Sequence, residues 1–224
     1  MVNEEPKPLR GNTDKPLGYL LEYEKALRPI LHRDVAVLEL GVAFGGSLLM
    51  WRDYFRGGPV IGVDVNTIAM DDRSGRIRTY AGYQQDVILL TNIARTHAPQ
   101  GFDLIVDDAS HVGDITKTSF WHLFEHHLKP GGIYAIEDWG TGYWLGHPHY
   151  PDGRHADPDI ALRPGPAGTP FPSHLHGVPG FLKQLIDEIA MYDLTHPEHG
   201  VPPQRSAKIS RMEVSPGLAL VFKA

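Results

Sequence analysis

The sequence predicts an α/β fold in which a doubly wound, mostly parallel sheet of seven strands is flanked by helices and finished by a C-terminal antiparallel hairpin. Short apolar runs alternate with segments of helical periodicity along most of the chain, which is typical of βαβ units. Glycines cluster directly after the first apolar run. The chain ends in two further runs separated by Ser215-Pro216-Gly217, a turn signal between antiparallel strands.

The spacing of apolar residues and the positions of Gly and Pro predict the individual elements. Strands are predicted at 35–40, 59–65, 76–80, 102–107 and 133–136. Helices are predicted at 17–32, 46–55, 86–97, 114–128 and 178–192. The fourth helix should stop at Pro130-Gly131-Gly132. The hairpin strands are predicted at 207–214 and 218–222.

The chain divides into a polar, Pro-containing N-terminal arm (1–16) and one domain (17–224). Within that domain, 139–177 is rich in Gly, Pro and His and has no clear periodicity, which favours a functional lid or binding loop. Its histidines do not follow a usual zinc spacing, so they are interpreted as solvated loop residues rather than a zinc site. They are His147, His149, His155, His174 and His176.

Composition excludes several functions. A net charge of −6 without clustered Lys and Arg argues against a nucleic-acid surface. The chain has no cysteine, so disulfides and thiolate chemistry are ruled out. No apolar run approaches the ~18 residues of a membrane span, and no signal peptide is evident at the N-terminus. A cytoplasmic protein with neither nucleic-acid nor membrane partners is therefore expected.

A cofactor site is predicted where the first strands end, since open α/β sheets bind ligands beyond those ends. The first strand runs into Glu39-Leu40-Gly41-Val42-Ala43-Phe44-Gly45-Gly46-Ser47. Asp64 ends the second strand at a distance suited to a ribose diol, and Gln84 and Asp86 follow the third. Individually, Asp64 could be a solvated carboxylate and Asp86 a plain N-cap. The Glu-x-Gly-x-x-x-Gly spacing resembles the S-adenosylmethionine (SAM) motif of class I methyltransferases, whose Rossmann-like sheet ends in such a hairpin.

A metal and catalytic site is predicted where the fourth and fifth strands end. Asp107-Asp108-Ala109-Ser110-His111 follows one strand and Glu137-Asp138 the other. Converging carboxylates repel one another unless a cation lies among them, and oxygen ligands suit Mg²⁺. Metal coordination would acidify an acceptor hydroxyl, and His111 would remove its proton. The alternative is that the acids only solvate strand ends and that His111 caps a helix.

Together these segments resemble the metal-dependent sugar O-methyltransferases of macrolide biosynthesis, of the mycinose-pathway type. The resemblance includes Thr13-Asp14-Lys15, Tyr19, Tyr23, the run at 45–51 and Tyr143-Trp144. It implies metal ligation by Asp108, Glu137 and Asp138, with His111 and Asp108 as the catalytic residues. The implied cofactor contacts are Glu39, Gly41, Gly45, Ser47, Asp64, Gln84, Asp86 and Asp107.

The resemblance also has departures. Ala109 replaces the usual Gly, and Tyr83 stands where an Asp is usual, which weakens the predicted adenine contact. The large N-terminal domain of the macrolide enzymes is not expected in this sequence, so an enzyme of the mycobacterial methylmannose type is also considered.

The expected function is SAM- and Mg²⁺-dependent methylation of a sugar hydroxyl in a glycoside or oligosaccharide, by a homodimer or larger assembly. The 139–177 segment would cover the acceptor, with Tyr143 and Trp144 stacking on a sugar ring. The nearest alternative is methylation of a catechol or other phenol, which uses similar carboxylates. An NAD-dependent oxidoreductase is disfavoured by the glycine spacing, and a non-catalytic SAM-binding protein by the converging carboxylates.

Overall fold

The computed structural model describes residues 9, 13–66, 68–144, 146, 150–156, 175–191 and 205–224. Within these ranges seven strands form one sheet of order β3-β2-β1-β4-β5-β7-β6. The strands are β1 (Val37–Leu40), β2 (Val60–Asp64), β3 (Ile77–Ala81), β4 (Phe102–Asp107), β5 (Leu128–Glu137), β6 (Ile209–Ser215) and β7 (Leu218–Lys223). The first five are parallel, while β7 runs antiparallel between β5 and β6. The predicted doubly wound sheet with a C-terminal hairpin is confirmed.

Helices cover both faces of this sheet. They are α1 (Leu17–Leu27), α2 (Gly46–Tyr54), α3 (Val87–His97), α4 (Gly113–His126) and α5 (Gly177–Ala190). One apolar core holds side chains of α3, α4 and α5, and the other holds those of α1 and α2. Strand β1 is buried along its whole length, which explains its apolar character apart from Glu39. In the described part of the chain, no helix combines the length and apolar character needed to cross a bilayer.

Several boundaries differ from the sequence prediction. The first helix, predicted to run to residue 32, ends at Leu27 and is followed by a 3-10 helix, Arg28–Ile30. The fourth helix ends at His126, before Pro130-Gly131, because β5 begins at Leu128 and pairs there with Phe102. The register shifts before Leu104 pairs with Ile133, so the Pro-Gly turn is absorbed as an irregularity of the strand. The segment predicted to be irregular from residue 139 begins instead with a 3-10 helix, Trp139–Tyr143.

The C-terminal hairpin packs against the first helix at its turn. Gly217 has φ +84°, and a β-carbon there would lie 1.9 Å from the Tyr19 hydroxyl oxygen. The Trp139 ring nitrogen also donates a hydrogen bond of 2.9 Å to the Ser215 carbonyl. These contacts bring α1, the hairpin turn and the end of β5 together at one edge of the sheet.

Candidate metal and cofactor site

Polar side chains gather at the edge where the parallel strands end. Strand β4 ends at Asp107 next to β1 and β5, and β5 ends at Glu137. Since β4 and β5 are neighbours, Asp108 and Asp138 emerge side by side. The convergence expected from the sequence is therefore present.

Asp108, His111 and Asp138 form a cluster that could hold a metal ion. Each offers one ligand atom, and these atoms lie within 4.8 Å of one another. The His111 Nε2 atom is 3.9 Å from Asp108 Oδ1. His111 and Asp138 both have a left-handed backbone, with φ +54° and +49°. Such strain in non-glycine residues costs roughly 1–3 kcal/mol each and is typical of functional sites.

Lys15 lies beneath this cluster, a contact that the sequence did not predict. Its side chain is 2% exposed, and Nζ lies 3.1 Å from Glu39 Oε1, 2.9 Å from Asp108 Oδ2 and 2.8 Å from Glu137 Oε1. Burial alone would lower the pKa of Lys15, but the three carboxylates outweigh it and raise that pKa well above its ordinary value. The ammonium is thus a permanent countercharge for the acids.

Two tyrosines of α1 complete the lower half of the site. The Tyr23 hydroxyl donates to Glu137 Oε1 at 2.6 Å, and the Tyr19 hydroxyl donates to Asp138 Oδ1 at 2.6 Å. Burial, followed by the adjacent carboxylate, raises the pKa of both phenols. Both tyrosines therefore stay neutral donors at ordinary pH.

Glu137 is the most buried of the three predicted metal ligands. Burial raises its pKa to about 8, although Lys15 opposes the rise, and repulsion from Asp108 adds to it. Its Oε1 atom is already shared by Lys15 and Tyr23. The geometric cluster contains His111 in its place, so ligation by Glu137 remains a prediction.

The donor set fits a hard divalent cation. Carboxylate oxygens from two strand ends face the His111 imidazole in a partly exposed site, and the Lys15 ammonium is paired with three of the neighbouring acids. A divalent ion would offset the remaining negative charge and retain open positions for other oxygen ligands. Asp108, Asp138 and, as predicted, Glu137 would hold it.

The glycine turn after β1 lies directly against this site. Gly41 has φ +85°, and a β-carbon there would be 2.0 Å from the Asp108 carbonyl oxygen. Gly45 has φ +80°, and a β-carbon there would lie 2.3 Å from the Met70 sulfur. The positive φ favours glycine at both positions, and at Gly41 the backbone of Asp108 also excludes a side chain. The turn leads into the N-terminus of α2.

Glu39 and Ser47 bind each other beneath that turn. The Ser47 hydroxyl donates to Glu39 Oε2 at 2.7 Å, while the other carboxylate oxygen faces Lys15. Burial raises the pKa of Glu39, and Lys15 and Ser47 oppose the rise. In this arrangement Glu39 supports the turn and links it to Lys15.

Asp64 and Asp86 occupy the strand and helix ends where they were predicted. Asp64 Oδ2 accepts hydrogen bonds from the Val42 and Ala43 amides at 2.9 and 3.2 Å. It therefore orders the glycine turn from the neighbouring strand. Asp86 caps α3 by accepting from the Ile88 and Leu89 amides. Their contacts with the ribose and the adenine remain predictions.

Gln84 and Asp107 are joined in a buried network. The Gln84 side-chain nitrogen donates to Asp107 Oδ1 at 3.0 Å, and its oxygen accepts from the Ser110 amide at 2.8 Å. Ser119 and Tyr134 donate to Asp107 Oδ2, yet burial still raises the pKa of Asp107 to about 6. The network fixes the start of the loop that carries Asp108 and His111.

The segment after β5 borders the site through Thr141. Its hydroxyl donates to the His111 carbonyl at 3.1 Å. Tyr143 is half-buried and Trp144 is exposed at the end of the same 3-10 helix. Stacking of these rings on a sugar remains a prediction.

The loop histidines have different outcomes. His155 is 0% exposed and packs near the Tyr150 ring, so its interpretation as a solvated residue is wrong. The backbone at His155 packs against Gly177, and this packing removes the segment around His155 from solvent. His176 precedes α5 and is exposed. His147, His149 and His174 lie outside the described residues.

The fold of the chain is the class I methyltransferase fold. The chain is 36% identical over 208 residues to the mycinamicin VI 2''-O-methyltransferase of Micromonospora griseorubida, an alignment covering 90% of this chain and 47% of that protein. It is 31% identical to the demethylmacrocin O-methyltransferase of Streptomyces fradiae, over 90% of this chain and 47% of that one. A tetracenomycin-C rhamnosyl 2'-O-methyltransferase of Streptomyces olivaceus is 32% identical, over 92% and 50%. No family model matches the chain.

Solved structures agree with these sequence relatives. The MycE methyltransferase of the mycinamycin pathway, in complex with Mg, S-adenosylhomocysteine (SAH) and mycinamycin VI, superposes with a TM-score of 0.69 at 33% identity. The match covers 92% of this chain and 48% of that one. The chain thus spans about half the length of the relatives it matches. All of the relatives named above are O-methyltransferases.

Proposed function

We propose that this protein is a SAM- and Mg²⁺-dependent O-methyltransferase that methylates a sugar hydroxyl of a glycoside or oligosaccharide. The observation that carries the proposal is the Asp108–His111–Asp138 cluster, within 4.8 Å, beside the glycine turn after β1. The relatives named as sugar O-methyltransferases, and the MycE complex with Mg, SAH and mycinamycin VI, support the same chemistry.

In this proposal the site has two neighbouring parts, one that binds the cofactor and one that binds the metal and the acceptor hydroxyl. The turn containing Gly41 and Gly45 would let the backbone approach the cofactor, and Asp64 would bind its ribose. His111 accepts the proton of the acceptor hydroxyl as the oxygen–carbon bond forms and the sulfur–carbon bond breaks, leaving SAH and a methyl ether. General-base assistance of this kind contributes about 10²–10⁴-fold.

The acidic residues would supply the metal-binding half of the site. A divalent cation bound by Asp108, Asp138 and Glu137 would lower the pKa of a coordinated hydroxyl and orient it. Lys15 holds the acids in place, and Thr141 fixes the His111 backbone from the segment after β5. That segment, with Tyr143 and Trp144, would cover the acceptor.

The acceptor class is tested with labelled SAM and a panel of glycosides and catechols in Mg²⁺. We expect methyl transfer to deoxysugar or methylmannose-type glycosides and little to catechols. Preferential transfer to catechols would replace this proposal by its nearest alternative, methylation of a phenol, for which the same carboxylates would serve.

The proposal extends to the surroundings of the enzyme. We also expect a small-molecule or oligosaccharide acceptor, a cytoplasmic location and a homodimer or larger assembly. Fractionation of producing cells tests the location, and light scattering of the purified protein tests the assembly. A monomer, or recovery with the membrane fraction, would contradict the corresponding part.

A further inference from the structure

Each of the three predicted metal ligands has one carboxylate oxygen held by a side chain near the N-terminus. We call residues 13–27, which include α1, the N-terminal segment. Lys15 Nζ lies 2.9 Å from Asp108 Oδ2 and 2.8 Å from Glu137 Oε1. Tyr23 and Tyr19 donate to Glu137 Oε1 and Asp138 Oδ1 at 2.6 Å each.

The pattern leaves the second oxygen of each acid for another partner. In Asp108 the division is explicit, because Oδ2 faces Lys15 while Oδ1 faces His111 at 3.9 Å. A carboxylate held by one oxygen cannot rotate freely, so the direction of its other oxygen is set in advance. Groups that orient the ligands of a metal commonly change its affinity 10–100-fold when they are mutated.

We propose that Lys15, Tyr19 and Tyr23 are positioning residues that orient the three acids for the divalent ion. This inference rests on the proposed metal-dependent function. If the inference holds, the N-terminal segment belongs to the metal site and is not an arm beside that site. Neither tyrosine needs to touch the ion, the cofactor or the acceptor.

The tyrosines allow a clean test because their rings and hydroxyls have separate roles. The Tyr23 ring packs edge-on against Trp51, with centroids 5.1 Å apart, so phenylalanine would preserve that contact. Removing Lys15 instead leaves buried acids without a countercharge, which endangers folding. Tyr19→Phe and Tyr23→Phe are therefore the informative variants, and Tyr54→Phe in α2, whose neighbour is Phe55, is the matched control.

The first measurement is the dissociation constant of Mn²⁺ from the full chain, determined by electron paramagnetic resonance without acceptor. Competition with Mg²⁺ then gives the dissociation constant of Mg²⁺. We expect Tyr19→Phe and Tyr23→Phe to weaken both ions by about 10–100-fold, with the Tyr54→Phe control unchanged. SAH affinity, measured by calorimetry, should be equal in all four proteins.

Turnover against Mg²⁺ concentration gives the second measurement. In the two variants the half-saturating Mg²⁺ should rise while the rate at saturating Mg²⁺ is largely restored, which a general loss of structure would not produce. Ion affinities equal to the wild type's would overturn the inference and leave the proposed function standing. A folded wild-type protein that binds neither ion would overturn both.

Discussion

Three residues at the edge of the sheet have a backbone that side chains normally avoid. Among the described residues, Ala43, His111 and Asp138 are the non-glycine positions with positive φ, and all three adjoin the site. Each costs roughly 1–3 kcal/mol, so the surrounding contacts must hold them in place. Asp64 holds the turn at Ala43, and Thr141 holds His111. The strain therefore lies at two residues that carry candidate ligand atoms, His111 and Asp138, and at one residue of the glycine turn, Ala43.

Substitution of His111 tests its role as the base. His111→Asn tolerates the left-handed backbone but cannot take the proton at neutral pH. We expect kcat to fall about 10²–10⁴-fold while SAH affinity is unchanged. The exposed His126→Asn variant is the control. A rate within the range of that control would remove His111 from the mechanism.

Two glycines give opposite predictions for stability. Gly41→Ala meets the Asp108 carbonyl at 2.0 Å with φ +85°, so the free energy of unfolding should fall by at least about 1–3 kcal/mol. Gly18→Ala in α1 meets nothing within 4 Å and should raise stability by about 0.5–1 kcal/mol. Urea unfolding of both variants measures the difference. Equal stabilities would show that the turn relaxes freely.

At the scale of elements, the sequence predicts most of the sheet and one half of the site. Alternation of apolar runs and helices predicts the parallel strands, and the acids after β4 and β5 are predicted to meet because those two strands are expected to be neighbours. Lys15 was missed because its partner Asp108 is 93 positions away and no local pattern encodes such a pairing. The available signal was electrostatic: buried Glu39 and Glu137 require a countercharge.

The boundary errors have local causes. Pro130-Gly131 was interpreted as a helix stop, whereas β5 starts before it and accommodates it by a register shift. The 3-10 helix at Trp139–Tyr143 has too few residues for periodicity to reveal it. The interpretation of His155 as a solvated residue is wrong because loop composition carries no information about burial.

The start of α3 carries an element-scale prediction. Asp86 caps this helix, so Asp86→Ala should lower the free energy of unfolding by about 1 kcal/mol, and Asp86→Asn should lower it much less. Thermal or urea unfolding checks this. Calorimetry with SAH separates the cap from the predicted adenine contact: full affinity in both variants would remove Asp86 from the cofactor site.

At the scale of the whole molecule, a group of histidines should set part of the acid sensitivity. Burial, followed by His122 and His126 and then by Arg95 and Lys223, lowers the pKa of His127 to about 4, against about 6.5 in an unfolded chain. The folded state therefore binds fewer protons between these values. The stability contribution is complete above pH 6.5 and is lost as the pH falls towards 4.

Replacing that histidine should flatten the profile. We expect His127→Gln to lose less stability than the wild type between pH 6.5 and 4 in urea titrations with EDTA present. Exposed His32→Gln is the control and should follow the wild-type slope. Parallel slopes for His127→Gln and the wild type would contradict the assignment.

The whole account depends on a divalent ion at the edge where β4 and β5 end. The most direct measurement is the initial rate of methyl transfer from labelled SAM to a glycoside after EDTA treatment and after Mg²⁺ is restored, with Asp138→Asn in parallel. The account predicts that EDTA abolishes turnover, that Mg²⁺ restores it, and that Asp138→Asn requires far more Mg²⁺. Full turnover in EDTA would contradict the account and return Asp108, Glu137 and Asp138 to a structural role beside the N-terminal segment.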